Sequence, residues 1–161
     1  MATSVPAAVI ALYETIDATH FGGTRPPIYL NQAPRTDVSG SQKRPPYVIL
    51  YDSGLRPEYD SSFGGIVRGE IRIEAYARKL EATGEITVNS ITNGFRYGGG
   101  DPADRDGLDF GPLPLTGVTY AIHLMPTYDQ SRYAGFEDFE GHRVHVREIR
   151  YQVIHGIKPT T

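Results

Sequence analysis

Apolar positions along the chain follow two rhythms, one helical and one alternating. Val5, Val9, Leu12, Tyr13 and Ile16 fall at i, i+4, i+7, i+8 and i+11, a single helical stripe. Thr3 or Ser4 can cap it, and Pro6 stands in the first turn, where its missing N–H costs little. This predicts a helix over 5–18, ended by "HFGGTRPP". "IYL" at 28–30 is a short strand, and the nearly all-apolar "YVILYD" at 47–52 reads as a central one. In "VRGEIRIEA" Val67, Ile71, Ile73 and Ala75 face one way, while Arg68, Glu70, Arg72 and Glu74 face the other as a ladder of alternating charge. The beat breaks at Tyr76.

Gly84, Val88, Ile91 and Phe95 then share a helical stripe, with Glu81 and Glu85 suited to a helix start and Gly94 to its end. "EITV" would also serve as a strand, but alternation fails between Val88 and Ile91, which favours the helix. Two strands close the chain. Val118, Tyr120, Ile122 and Leu124 alternate in "LTGVTYAIHLM". In "HRVHVREIRYQVIH" Val144 and Val146 keep one parity and Ile149, Tyr151 and Val153 the other, which predicts a β-bulge near Arg147–Glu148. The order implies an α+β fold with an antiparallel (mixed) β-sheet and two helices packed on one face, in a single domain over 1–161. Long loops are expected at 31–46, 53–64, 96–114 and 126–141, and loops of that length are usually functional or disordered.

Composition narrows the function. Eleven tyrosines and six phenylalanines without a tryptophan suit half-wet contact surfaces. A net charge of −3 with no basic block disfavours specific nucleic-acid binding. With no cysteine there is no disulfide, thiolate metal site or Cys nucleophile. The N-terminal stretch lacks the basic start of a signal peptide and no apolar run reaches bilayer length, so a soluble protein is expected.

The chemistry-bearing motifs are weak. Asp101, Asp104, Asp106 and Asp109 cluster in "DPADRDGLD", but Pro102 and Leu113 stand where a calcium loop needs ligands, and the stretch reads as a solvated turn. "YGGGD" at 97–101 lacks the helix with Lys and Ser/Thr that a phosphate loop requires. Of the five histidines, His20, His123, His142, His145 and His155, His142 and His145 fall on opposite faces of a strand, and His123 with His145 lacks a third ligand. No serine sits in a G-x-S-x-G elbow. "PPIY" at 26–29 reads as a strand entry turn rather than a polyproline ligand. No catalytic residue, metal or cofactor is therefore assigned. "PTYDQSRYAGFEDFEG", 126–141, interleaves Tyr128, Tyr133, Phe136 and Phe139 with Asp129, Glu137, Asp138 and Glu140. It reads either as a hairpin loop folded back on its own domain or as anchors for a neighbouring chain.

The N-terminal helix, the "IY" and "PPYVIL" strands, "GEIRIEAYA" leading into a helix, and "HVREIRYQV" as the last strand resemble the tail terminator and tail-completion proteins of long-tailed bacteriophages, over 5–97 and 115–155. The resemblance implies a non-enzymatic virion protein that forms a homo-oligomeric ring, typically of six. Such a ring caps the tail tube and joins it to the head–tail connector, and DNA passes through without sequence-specific binding. The long loops depart from that pattern and leave open a related neck protein. Arg68, Glu70, Arg72 and Glu74 would then pair with a neighbouring subunit or line a mildly acidic pore, and Tyr128, Tyr133, Phe136 and Phe139 would grip partners. The rival expectation is a small-molecule or glycan-binding module, or an unrecognised hydrolase, using the Tyr-rich loops.

Overall fold

The structure, a computed structural model, describes residues 4–32, 45–52, 55–58, 65–78, 83–99, 106–111, 113, 123–137 and 141–157. Helix α1, Val5–Thr15, starts where the sequence predicts: Ser4 Oγ accepts from the Ala7 N–H at 3.3 Å, and Pro6 lies in the first turn. It stops at Ile16, short of the predicted end, and Ala18–Phe21 form a separate 3-10 turn capped by the Asp17 carboxylate. That turn closes on Gly22 at φ 77°, a left-handed conformation that glycine adopts without strain.

Strands β1 (Ile28–Leu30), β2 (Tyr47–Tyr51), β3 (Arg56–Glu58), β4 (Gly65–Arg78), β5 (His123–Glu137) and β6 (Arg143–Ile157) form one mixed sheet in the order β1-β2-β4-β6-β5. Only β1 and β2 are parallel, and β3 pairs with the first part of β4 on the side that β2 occupies further along. Helix α2, Thr83–Tyr97, follows β4 and packs with α1 on one face, giving the expected α+β architecture. The core lies between them. Val48, Leu50, Ile71, Ile73, Ala75, Ile149, Tyr151 and Val153 from the sheet meet Val5, Val9 and Tyr13 from α1 and Val88, Ile91 and Phe95 from α2. Tyr13 stacks on Phe95 with ring centroids 4.7 Å apart, and its hydroxyl donates to the Pro26 carbonyl at 2.7 Å. Pro26 and Pro27 lead straight into β1, as an entry turn should.

Four expectations change. First, β4 does not leave at Tyr76: β6 keeps pairing it through Arg78↔Val144, and Tyr76 stacks on Tyr47. Second, most of the predicted 126–141 loop is strand β5, paired with β6 from His123 to Glu137. Pro126 and Gly135 disguise it, and its register shifts between Pro126 and Tyr128 and between Tyr133 and Glu137, so no single period-2 pattern runs through it. As the edge strand it tolerates a proline that a central strand would reject.

Third, β6 has no bulge at Arg147–Glu148, and its pairing with β4 runs from Val144 to Ile157 without a shift. Both parities are buried because both faces of the sheet are covered there: Ile149, Tyr151 and Val153 on the helix side, Val144, Val146 and Glu148 on the far side. Fourth, β3 lies within the predicted 53–64 loop. Residues 115–122 of the predicted strand at 115–125 lie outside the described residues, and 123–125 begin β5.

Candidate functional site

Antiparallel pairing lines up four side chains in one row on the sheet face away from the helices. Tyr51 on β2 is the register partner of Arg72 on β4, Arg72 of Arg150 on β6, and Arg150 of Tyr128 on β5. The guanidinium of Arg72 sits 4.3 Å from the centre of the Tyr51 ring, and that of Arg150 sits 4.5 Å from the centre of the Tyr128 ring. One row further along, Glu74 is the partner of Glu148. The two half-exposed arginines thus stand side by side between tyrosine rings, with two carboxyl groups beneath their inner edges.

Those carboxyl groups are buried, Glu74 to 5% exposure and Glu148 to 3%. Arg150 Nε donates to Glu148 Oε2 at 2.6 Å. Tyr76 donates its hydroxyl to Glu74 Oε2. Arg72 Nε lies 3.3 Å from Glu74 Oε1 and 3.9 Å from Glu148 Oε1, an ion contact without hydrogen-bond alignment. Burial, chiefly, pushes Glu74 above the usual carboxylate range; the neighbouring Glu148 adds to this, while Tyr76 and Arg72 act against it. Burial also raises Tyr47, Tyr51 and Tyr76, and the Glu74 carboxyl raises them further, so all three stay neutral phenols.

The charge ladder expected on β4 is therefore half a surface. Arg68 and Glu70 are exposed and Arg72 is half-exposed, but Glu74 is buried within its own chain. Tyr47, Ile49 and Tyr76 pack around its end of the face, all paired at or beside it. Among the described side chains this face carries Arg56, Arg68, Arg72, Arg78, Arg132 and Arg150 against Glu70, Glu74 and Glu148 by register. Among those described side chains cations outnumber carboxylates. Of the predicted aromatic grip, Tyr128 belongs to the row, Tyr133 is exposed beneath Arg143, and Phe136 is exposed within 6.3 Å of Tyr76. Phe139 lies outside the described residues.

A second polar cluster occupies the helix side. Arg96 from α2 donates through Nε to Asp109 Oδ2 at 2.9 Å and through Nη1 to Asp129 Oδ2 at 2.6 Å. Arg147 from β6 donates to Asp129 through Nε at 2.7 Å and Nη2 at 2.6 Å, and through Nη1 to the Asn89 side chain at 2.8 Å. Tyr151 donates to Asp109 Oδ1. Burial alone would raise Asp129, but hydrogen bonds and charge from Arg147 and Arg96 reverse that and hold it below the usual range. Each charge has an opposite partner, so the cluster is a clamp joining α2, β5, β6 and the 106–111 turn.

Asp109 is thus ion-paired rather than solvated; Asp106 is exposed, and Asp101 and Asp104 lie outside the described residues. Leu108 and Asp109 in that turn donate their backbone N–H groups to the Phe95 and Arg96 carbonyls at 2.8 and 3.1 Å, satisfying the end of α2. His20 bonds the Ser90 carbonyl at 2.8 Å. No group of three or more metal-ligating side chains occurs among the described residues. No described helix is long and apolar enough to cross a membrane.

The sequence reading missed Glu148, Arg150 and Tyr51, although a signal was present. "RIE" at 72–74 and "EIR" at 148–150 are mirror images, so antiparallel pairing must set arginine beside arginine and glutamate beside glutamate. No family model matches the chain, and no curated protein matches it.

Proposed function

We propose that this chain is a structural subunit of the head-proximal end of a long-tailed phage tail. In this reading it assembles into a ring of roughly six copies that terminates the tail tube and meets the head–tail connector. The observation that carries the reading is where apolar surface remains exposed. Of seven exposed large hydrophobics among the described residues, four lie on the β5–β6 hairpin: Met125, Tyr133, Phe136 and Ile154. Three of these, Met125, Phe136 and Ile154, lie on the same face as the Tyr51–Arg72–Arg150–Tyr128 row, and together they make a surface of apolar, aromatic and arginine side chains, a composition enriched at protein contacts.

The helix–strand–helix–strand order supports the same reading. Because the far face is basic among its described side chains, this reading assigns it to contacts between proteins rather than to the pore that DNA would cross. The glycan-binding alternative is less favoured, since Arg72, Arg150 and Arg143 already cover ring faces of Tyr51, Tyr128 and Tyr133. Light scattering on the wild type and on Met125→Asp with Phe136→Asp tests the proposal. A ring mass that falls to a monomer in the double variant is expected; a wild type that is monomeric, alone and in the presence of tail tubes, would overturn it.

A further inference from the structure

We propose that Glu74 and Glu148 share a single proton at neutral pH, and that this proton sets the charge of the exposed arginine row above them. The two carboxyl groups are register partners, both buried, and each has an oxygen within 3.9 Å of the same Arg72 Nε. Ionised carboxylates only accept, so two of them can bond only if one carries a proton. The donors that could satisfy both as anions are already allotted. Arg150 Nε takes Glu148 Oε2 and Tyr76 takes Glu74 Oε2. Among the described residues that leaves Glu74 Oε1 and Glu148 Oε1 facing the misaligned Arg72 Nε.

Like charges set directly opposite in a sheet repel, and burial strengthens the repulsion. A shared proton removes it and supplies the missing donor. The raised position of Glu74, due first to burial, agrees with this. The charged and titratable groups around the pair are Tyr47 and Tyr51 from β2, Glu70, Arg72, Tyr76 and Arg78 from β4, Arg150 from β6, and Tyr128 and Arg132 from β5. The arginines stay cationic and the raised tyrosines neutral, so the pair is the group on this face whose protonation sets the charge of the row.

With the proton in place, Arg72 and Arg150 face one negative charge and the row is net positive. Without it the four groups sum to zero. Loss of the proton would therefore weaken the attraction of this face for an acidic partner. This inference does not depend on the ring.

The sign of the stability effect follows from linkage. The folded pair binds more protons than the unfolded chain above the ordinary glutamate range, so stability falls as the pH rises through that window. Infrared spectroscopy of the full chain at neutral pH should show a protonated-carboxyl C=O band that Glu74→Gln and Glu148→Gln each abolish. In urea unfolding, the wild-type midpoint should drop from about pH 5 to about pH 9 while those of the two variants hold nearly level. Absence of the band in the wild type, its persistence in both variants, or equal pH slopes in all three proteins would overturn the proposal. Should a variant fail to fold, the wild-type band alone decides.

Discussion

Replacing Asp129 with alanine removes the carboxylate on which two arginines from different elements converge. Arg147 reaches it through two nitrogens and Arg96 through one, all at 2.6–2.7 Å. Were this an exposed ion pair, the loss would be about 0–1 kcal/mol. The side chains are only 17–23% exposed, so both guanidiniums would lose a largely desolvated partner. Breaking a fully buried pair costs about 3–5 kcal/mol. The partial exposure here places Asp129→Ala at about 2–4 kcal/mol, and Asp129→Asn in the same range because its amide presents donors to donors.

Urea unfolding at constant m-value measures this, and a double-mutant cycle with Arg96→Ala should return a coupling of about 1–2 kcal/mol. The pH dependence gives a second reading. Asp129 is held below its ordinary range, so its contribution is present above about pH 4 and is lost as the pH falls through its folded value. The gap between wild type and Asp129→Ala should therefore narrow in acid. A loss under about 0.5 kcal/mol, or a gap that is the same in acid and at neutrality, would refute the reasoning.

Three further outcomes follow from packing. A Cβ at Gly107 would collide with the Arg96 carbonyl and the Tyr97 nitrogen, both backbone, so Gly107→Ala should lift the turn and unseat Leu108. Its cost in chemical denaturation should match or exceed that of Leu108→Ala, about 2–4 kcal/mol; a smaller cost would mean the turn is not docked. Tyr13→Phe should cost about 1–1.5 kcal/mol by leaving the Pro26 carbonyl without its buried donor, and an unchanged thermal midpoint would contradict that bond. Arg68→Glu with Arg132→Glu, both exposed, should leave the urea midpoint within about 0.5 kcal/mol of wild type while reducing particle mass in light scattering. Unchanged mass would remove these arginines from the contact.

Much of this was legible in the residues. Both helices, β1, β2 and the core parity of β4 follow from period 3.6 or period 2 in runs where one face is buried. Legibility failed where the sheet is covered on both sides or its edge is irregular. Val144 and Val146 are as buried as Ile149 and Tyr151, so alternation along β6 carried no information about which face was core. β5 hid behind Pro126, Gly135 and two register shifts, features that an edge strand tolerates. Glu74 looked exposed because its neighbours Arg72 and Glu70 are polar; the hydroxyl of Tyr76 and the guanidinium of Arg72 make its burial sustainable. The Asp109–Arg96–Asp129–Arg147 clamp joins residues far apart in sequence, and no local pattern announces it.

The central claim is that exposed aromatic and arginine side chains on the β5–β6 side of the sheet hold copies of this chain together. Negative-stain images of the purified protein, alone and mixed with tail tubes, test it most directly. The account predicts closed rings with a central opening, seated at tube ends. Uniform monomers that leave tube ends bare would contradict it.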